Sequence, residues 1–277
     1  MITPLGAFSL RESAMFGFGQ RHSREYDGAL PLAFCLEPTW EPVGVTVTQP
    51  APDRVVLDGP TAAHAQALRV LSLDVDARTY DALPDPLIQR LQAVAPGLRP
   101  PLFHSAYEAA AWCVLQARRP MRTAAGLRDR LSREHGTVLP EGLCFPTPEQ
   151  LLAVTSFPGL DDVRLGRLHG IARAALDGDL DTAALRALAP AEALVRLKKL
   201  PGIGDFSAQL IVVRTLGHTD VLPAEEKHAL AAVGSLYGFG RPATQDELDE
   251  VAEAWKPWRT WVLVLIRVAA GRLTPMG

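Results

Sequence analysis

Apolar positions change their period about a third of the way along the chain. Up to Arg99, short apolar runs are broken by Pro, Gly and Asp, and Leu32–Glu37, Val43–Gln49 and Arg54–Leu57 read as strands. Ala62–Leu71 and Pro86–Ala95 have helical spacing, the second opened by Pro84 and Asp85. The stretch Pro96-Gly-Leu-Arg-Pro-Pro101 reads as a linker stiffened by proline. Beyond it nearly every apolar residue recurs at three- or four-residue spacing. Ala106–Leu115 is apolar on most faces. Thr123–Glu134 sets Leu127 and Leu131 inward and Arg128, Arg130 and Arg133 outward. Pro148–Val154, Val163–Leu176, Thr182–Leu188, Ala191–Lys199, Asp205–Leu216, Asp246–Trp255 and Trp258–Ala270 complete the helical set. The pattern predicts a mainly α protein, with a small α+β domain over residues 1–99 and a helical domain over residues 100–277.

Two of these helices are joined by Leu200-Pro-Gly-Ile-Gly204. Its glycines permit backbone conformations closed to other residues and let another molecule approach the main chain. The helix that follows begins with unpaired N–H groups at the positive end of its dipole, which suits a phosphate oxygen. Phe206, Leu210, Val213 and Leu216 share one face of it and are expected to point to the core. A plain helix–turn–helix connection is the simpler account of the same glycines.

Charge and cysteine content narrow the field. A net charge of −3 argues against strong nonspecific affinity for nucleic acid, though not against a local basic patch. Trp261–Ala270 is too short and too interrupted, by Arg267, to cross a bilayer, and the N-terminus lacks a signal-peptide pattern. Three widely spaced cysteines, Cys35, Cys113 and Cys144, suit a reducing cytoplasm and are too few for a four-cysteine iron–sulfur cluster. The histidines are scattered, with no transition-metal spacing. A monomer without a membrane partner is the expectation.

The hairpin and its downstream loop carry a resemblance. Leu-Pro-Gly-Ile-Gly with Ala208, followed without a gap by Arg214-Thr-Leu-Gly-His-Thr-Asp-Val-Leu-Pro-Ala-Glu-Glu226, is similar to the helix-hairpin-helix DNA glycosylases. Their loop reads R-x-x-G-x-x-D-x-x-P-x-x-D and ends on the catalytic aspartate. Gly97-Leu-Arg-Pro-Pro, Phe145-Pro-Thr-Pro and Trp255-Lys-Pro-Trp-Arg259 extend the match, which resembles the 3-methyladenine DNA glycosylase II type that removes alkylated purines. The resemblance implies a helical glycosylase core with its hairpin near residues 191–216, duplex DNA with a damaged base as partner, and a role in base excision repair.

It also assigns residues. Glu226 takes the aspartate's place, one methylene longer, with Glu225 as the fallback if the register slips. With Pro223 as first helical residue, both would sit in a helix's first turn. Acidic residues are common there in any protein. Relatives that also cut the strand carry a lysine two residues after the second glycine; Phe206 stands there, so hydrolysis by water without a Schiff base is implied. Phe206 and Phe18 would face the extruded base, with Leu210 and Trp258 completing the pocket. Phe206 equally suits a core. Arg267 stands where the family has a Trp, and is expected to pair with Glu226 or Glu225. Gly202, Ile203, Gly204, Asp205 and Arg214 would meet one strand. Arg118 would fill the gap left by the base, and Arg119 and Arg122 would contact phosphates. A solvated charge run explains the same three arginines. The carbonyls of Lys198, Leu200 and Gly202 match those that hold a Na⁺ or K⁺ ion. Glu226, Arg118 and Arg267 depart from the pattern, so a catalytically impaired or altered-specificity binder of damaged DNA is the alternative.

Overall fold

The computed structural model describes residues 1–16, 26–222 and 226–273. The three expected strands form an antiparallel sheet in the order β1 (Ala29–Leu36), β2 (Glu41–Ala51) and β3 (Arg54–Asp58). Leu32 lies opposite Val45, Phe34 opposite Val43 and Val47 opposite Leu57. The alternation of Val43, Val45 and Val47 therefore buries one face of β2. Onto that face pack α1 (Leu10–Met15), capped by the Ser9 hydroxyl, and α2 (Thr61–Val70).

A second core surrounds α4 (Ala106–Gln116), on which Ala106 through Leu115 are all buried. This is why that helix is apolar on most of its faces. Around it lie α5 (Met121–His135), α6 (Pro148–Leu152), α7 (Asp162–Leu176), α8 (Thr182–Arg186), α9 (Pro190–Leu197) and α10 (Asp205–Arg214). A short hairpin of β4 (Thr137–Leu139) and β5 (Gly142–Cys144), which the hydrophobic pattern does not announce, joins this core to β1.

The third core is shared between the two ends of the chain. Helix α3 (Pro86–Val94), capped by Asp85, buries Ile88 and Leu91 against α11 (Lys227–Leu236), α12 (Gln245–Ala252) and α13 (Arg259–Ala269). Residues 77–98, which the sequence groups with the first domain, thus complete the apolar face of α13, formed by Trp261, Leu265 and Ile266.

From Leu98 on, the proline-rich stretch that reads as a linker is a buried strap. Leu98 through Phe103 are all buried. Arg99, 0% exposed, donates to the carbonyls of Leu5, Ala7, Ser72 and Val75, and its guanidinium lies near the Phe8 and Trp261 rings. Among the described residues no helix is long and apolar enough to cross a membrane.

Candidate functional site

The turn between α9 and α10 is built by its own backbone. Leu200 N–H donates to the Leu197 carbonyl and Ile203 N–H to the Leu200 carbonyl, at 3.0 and 3.2 Å. Gly202 has φ of +81°, a conformation that disfavours a side chain. Ile203 is buried in the α4 core, so this residue anchors the hairpin from inside; its side chain and N–H are both used by the protein itself. Gly202 and Gly204 are exposed. Gly204 is the N-cap of α10 and has no side chain to cap it. Asp205, the first helical residue, bonds Lys198 Nζ at 2.5 Å. The hydrogen bond from Lys198, then its charge, holds the Asp205 carboxyl below the usual range. The Leu200 carbonyl, expected to help hold a cation with those of Lys198 and Gly202, already accepts one N–H and keeps its second lone pair. Among the described residues no group of three or more His, Cys, Asp or Glu side chains is placed to hold a metal ion.

Helix α10 buries a different face from the one its spacing predicts. Ala208, Ile211, Val212 and Arg214 are buried, whereas Phe206 is 69% exposed and Leu210 only half-buried against the core. Phe206 is therefore an open aromatic in the first turn beside the hairpin, not a core residue. Arg214, expected to meet DNA, is 5% exposed. Its Nη2 donates to the Pro101 carbonyl at 2.6 Å, and its guanidinium lies 4.4 Å from the Phe16 ring centroid. It ties α10 to the strap and to the end of α1, and is not available to a phosphate.

The loop beyond α10 is clamped onto α13. Arg259 Nε and Nη2 donate to the two Asp220 oxygens at 2.5 and 3.0 Å. Thr260 N–H donates to the Thr219 carbonyl, and Val221 N–H donates to the Thr260 hydroxyl, both at 2.9 Å. These clamp residues were not singled out from sequence, although Asp220 and Arg259 both stand in the quoted motifs. At the far end of the loop Glu226 is the N-cap of α11, so the helix starts at Lys227 and not at Pro223. Its carboxylate accepts the N–H groups of His228 and Ala229, at 3.1 and 2.7 Å. Pro223 and Glu225 lie outside the described residues, as does Phe18.

Two pocket residues sit elsewhere than expected. Trp258 is buried between Tyr80 and Trp261, and its Nε1–H donates to the Thr79 hydroxyl at 3.1 Å. The indole finds its partner inside the third core, so it packs there and does not line an open site. Arg267 is exposed and makes no ion pair with any described residue, so the expected bridge to Glu226 is not formed.

After α4 the chain makes a tight turn. Arg119 N–H donates to the Gln116 carbonyl at 2.9 Å. Ala117 has φ −48° and ψ 117°, and Arg118 has φ +55°, the pattern of a type II turn with arginine where glycine is usual. Arg164 braces it by donating to the Ala117 carbonyl at 3.1 Å while paired with Asp161. The Arg119 guanidinium donates to the carbonyls of Leu115 and Gly159, so this residue is structural and not a free phosphate contact. Arg118 and Arg122 are exposed.

A glycine hairpin, an exposed aromatic in the helix behind it and a carboxylate at the end of a clamped loop are what the structure brings forward, and the proteins this chain is similar to are named as DNA-3-methyladenine glycosylases. It is similar to "DNA-3-methyladenine glycosylase 2" of Escherichia coli, 28% identical over 75% of this chain and 73% of that protein. It is 31% identical to the "Probable bifunctional transcriptional activator/DNA repair enzyme AlkA" of Mycobacterium tuberculosis over 79% of this chain, but spans only 46% of that longer protein. Among solved structures, the "3-methyladenine dna-glycosylase from Archaeoglobus fulgidus" shares the fold over 99% of both chains, with a TM-score of 0.79 at 19% identity. No protein-family model matches the chain.

Proposed function

We propose that the protein is a monofunctional DNA glycosylase that hydrolyses the N-glycosidic bond of alkylated purines in duplex DNA. The observation that carries the reading is the placement of Glu226. Its carboxylate caps α11, at the end of a loop that leaves the hairpin helix and is fixed to α13 by Asp220 and Arg259. As the bond between C1′ and the base nitrogen breaks, its electron pair leaves with the base and positive charge builds on the sugar. A preorganised carboxylate stabilises that charge and orients the water that adds to C1′.

The remaining parts follow from position. The hairpin glycines and the uncapped start of α10 take a backbone phosphate. Phe206, open in the first turn, stacks on the extruded base. Arg118, held at the tip of its turn, occupies the space the base leaves. Phe206 also stands where an amine nucleophile would be needed, so no covalent enzyme–DNA adduct forms. A Na⁺ or K⁺ ion on the carbonyls of Lys198, Leu200 and Gly202 belongs to the same proposal.

The test is base release from duplex DNA containing 3-methyladenine or 7-methylguanine. The wild-type chain is expected to release the base, with nothing trapped by borohydride, and Glu226→Gln to lose activity by about a hundredfold or more. Undiminished release by Glu226→Gln would remove Glu226 from the assignment. Tight lesion binding with no release would select the binding-only alternative.

A further inference from the structure

Of the hairpin's two lysines, Lys198 is bonded to Asp205, the acidic residue that opens α10, and Lys199 alone is left without a carboxylate among the described residues. A chain with a net charge of −3 gains from a second cation at this corner if a phosphate is to bind there. Helix α7 brings one. At Gly170 a Cβ would collide with the Pro201 ring, so α7 and the hairpin approach each other through the one residue that leaves room. One turn earlier on the same face, Arg167 lies over Gly202, and a Cβ at Gly202 would be 2.8 Å from Arg167 Cδ. Arg167 is exposed, and no carboxylate among the described residues engages it.

We propose that Arg167 is a DNA-contact residue: its stem rests on the hairpin glycine and its guanidinium binds the backbone phosphate that the hairpin takes. The proposal rests on the DNA reading above. Gly202 then has two physical reasons to be glycine, its positive φ and the space its missing Cβ leaves to the arginine stem. The guanidinium is tethered a few atoms from the turn, so little side-chain freedom is lost when a phosphate arrives. The contact is to backbone and carries no sequence or lesion preference.

The experiment is a salt titration of binding to an undamaged duplex and to one carrying an abasic-site analogue, for wild type, Arg167→Ala, Arg167→Lys and Arg173→Ala. Arg173 is an exposed arginine on the same helix, six residues further on. Arg167→Ala is expected to make the slope of log K against log salt shallower by about 0.9, equally on both duplexes, with its unfolding transition unchanged. Arg167→Lys should keep most of the slope, and Arg173→Ala all of it. A wild-type slope with Arg167→Ala superimposed on it overturns the assignment of Arg167 and leaves the glycosylase reading standing. A wild-type protein with no salt-dependent duplex binding overturns both.

Discussion

Arg118 shows how one residue's backbone separates folding from function. At φ +55° it sits in the left-handed region, where a side chain costs about 1–2 kcal/mol and glycine costs little. No described residue bonds its guanidinium, which is exposed, while Arg164 and Arg119 hold the turn through the carbonyls of Ala117, Leu115 and Gly159. Strain kept at an exposed tip points to use by a ligand. Arg118→Gly and Arg118→Ala both delete the guanidinium, so both should bind abasic-site DNA more weakly. They should differ in stability, with Arg118→Gly the more stable by about 1 kcal/mol in urea denaturation, because alanine keeps the left-handed strain. Alanine equal to or above glycine would mean that the turn relaxes and stores nothing. The sequence could suggest Arg118 as a candidate but could not show its strain, since φ is set by the turn and not by the residue.

At the scale of elements, helical spacing predicted almost every helix, yet it chose the wrong face of α10. Phe206, Leu210, Val213 and Leu216 recur at the right interval, but so do Ala208, Ile211 and Val212; the core took the second set within the helix, and of the first only Leu216, just beyond its end, is fully buried. A helix apolar on both sides offers no period to decide between them, and the side left open carries Phe206. Arg214 was misread for a related reason: its partners, Pro101 and Phe16, are more than a hundred residues away in sequence. The clamped loop carries its own consequence. His218, between α10 and Asp220, is half-buried, its Nε2 has no hydrogen-bond partner, and burial and then the nearby Arg186 charge lower its pKa. A folded-state pKa below the unfolded value of about 6.5 means that the unfolded chain binds more protons in acid. The contribution is complete above that value and is lost as pH falls through the interval between the two. Urea unfolding measured from pH 7.5 down to pH 5 should therefore show a decline that is smaller in His218→Gln. Parallel curves for the two proteins would put the acid sensitivity elsewhere.

For the whole molecule the question is what makes three cores one structure, and the answer lies in the strap that the sequence presents as a boundary. Prolines at 96, 100 and 101 look like a spacer, and only the structure shows that the segment is buried from Leu98 onward. Its Arg99 binds carbonyls from the first ten residues and from the turn after α2, and its cation lies near Trp261 of the C-terminal helix α13. Burial lowers the Arg99 pKa, and Asp81, Asp76 and Asp74 partly offset this; a guanidinium keeps its charge in proteins. Removing it takes the donor from four backbone carbonyls, of which that of Ser72 is buried. Arg99→Met should lower the free energy of unfolding by about 3–5 kcal/mol, near the limit of what a domain of this kind tolerates. Arg99→Lys should rescue little, because one ammonium cannot fork to carbonyls on both sides. Along the chain the hairpin precedes α10 and Glu226 follows its loop, and α10 reaches the strap through Arg214. Loss of Arg99 should therefore cost base-release activity in step with the fraction unfolded, and no faster. A loss smaller than about 1 kcal/mol would show that the cores hold together without the strap, and that their order along the chain, not this arginine, positions the site.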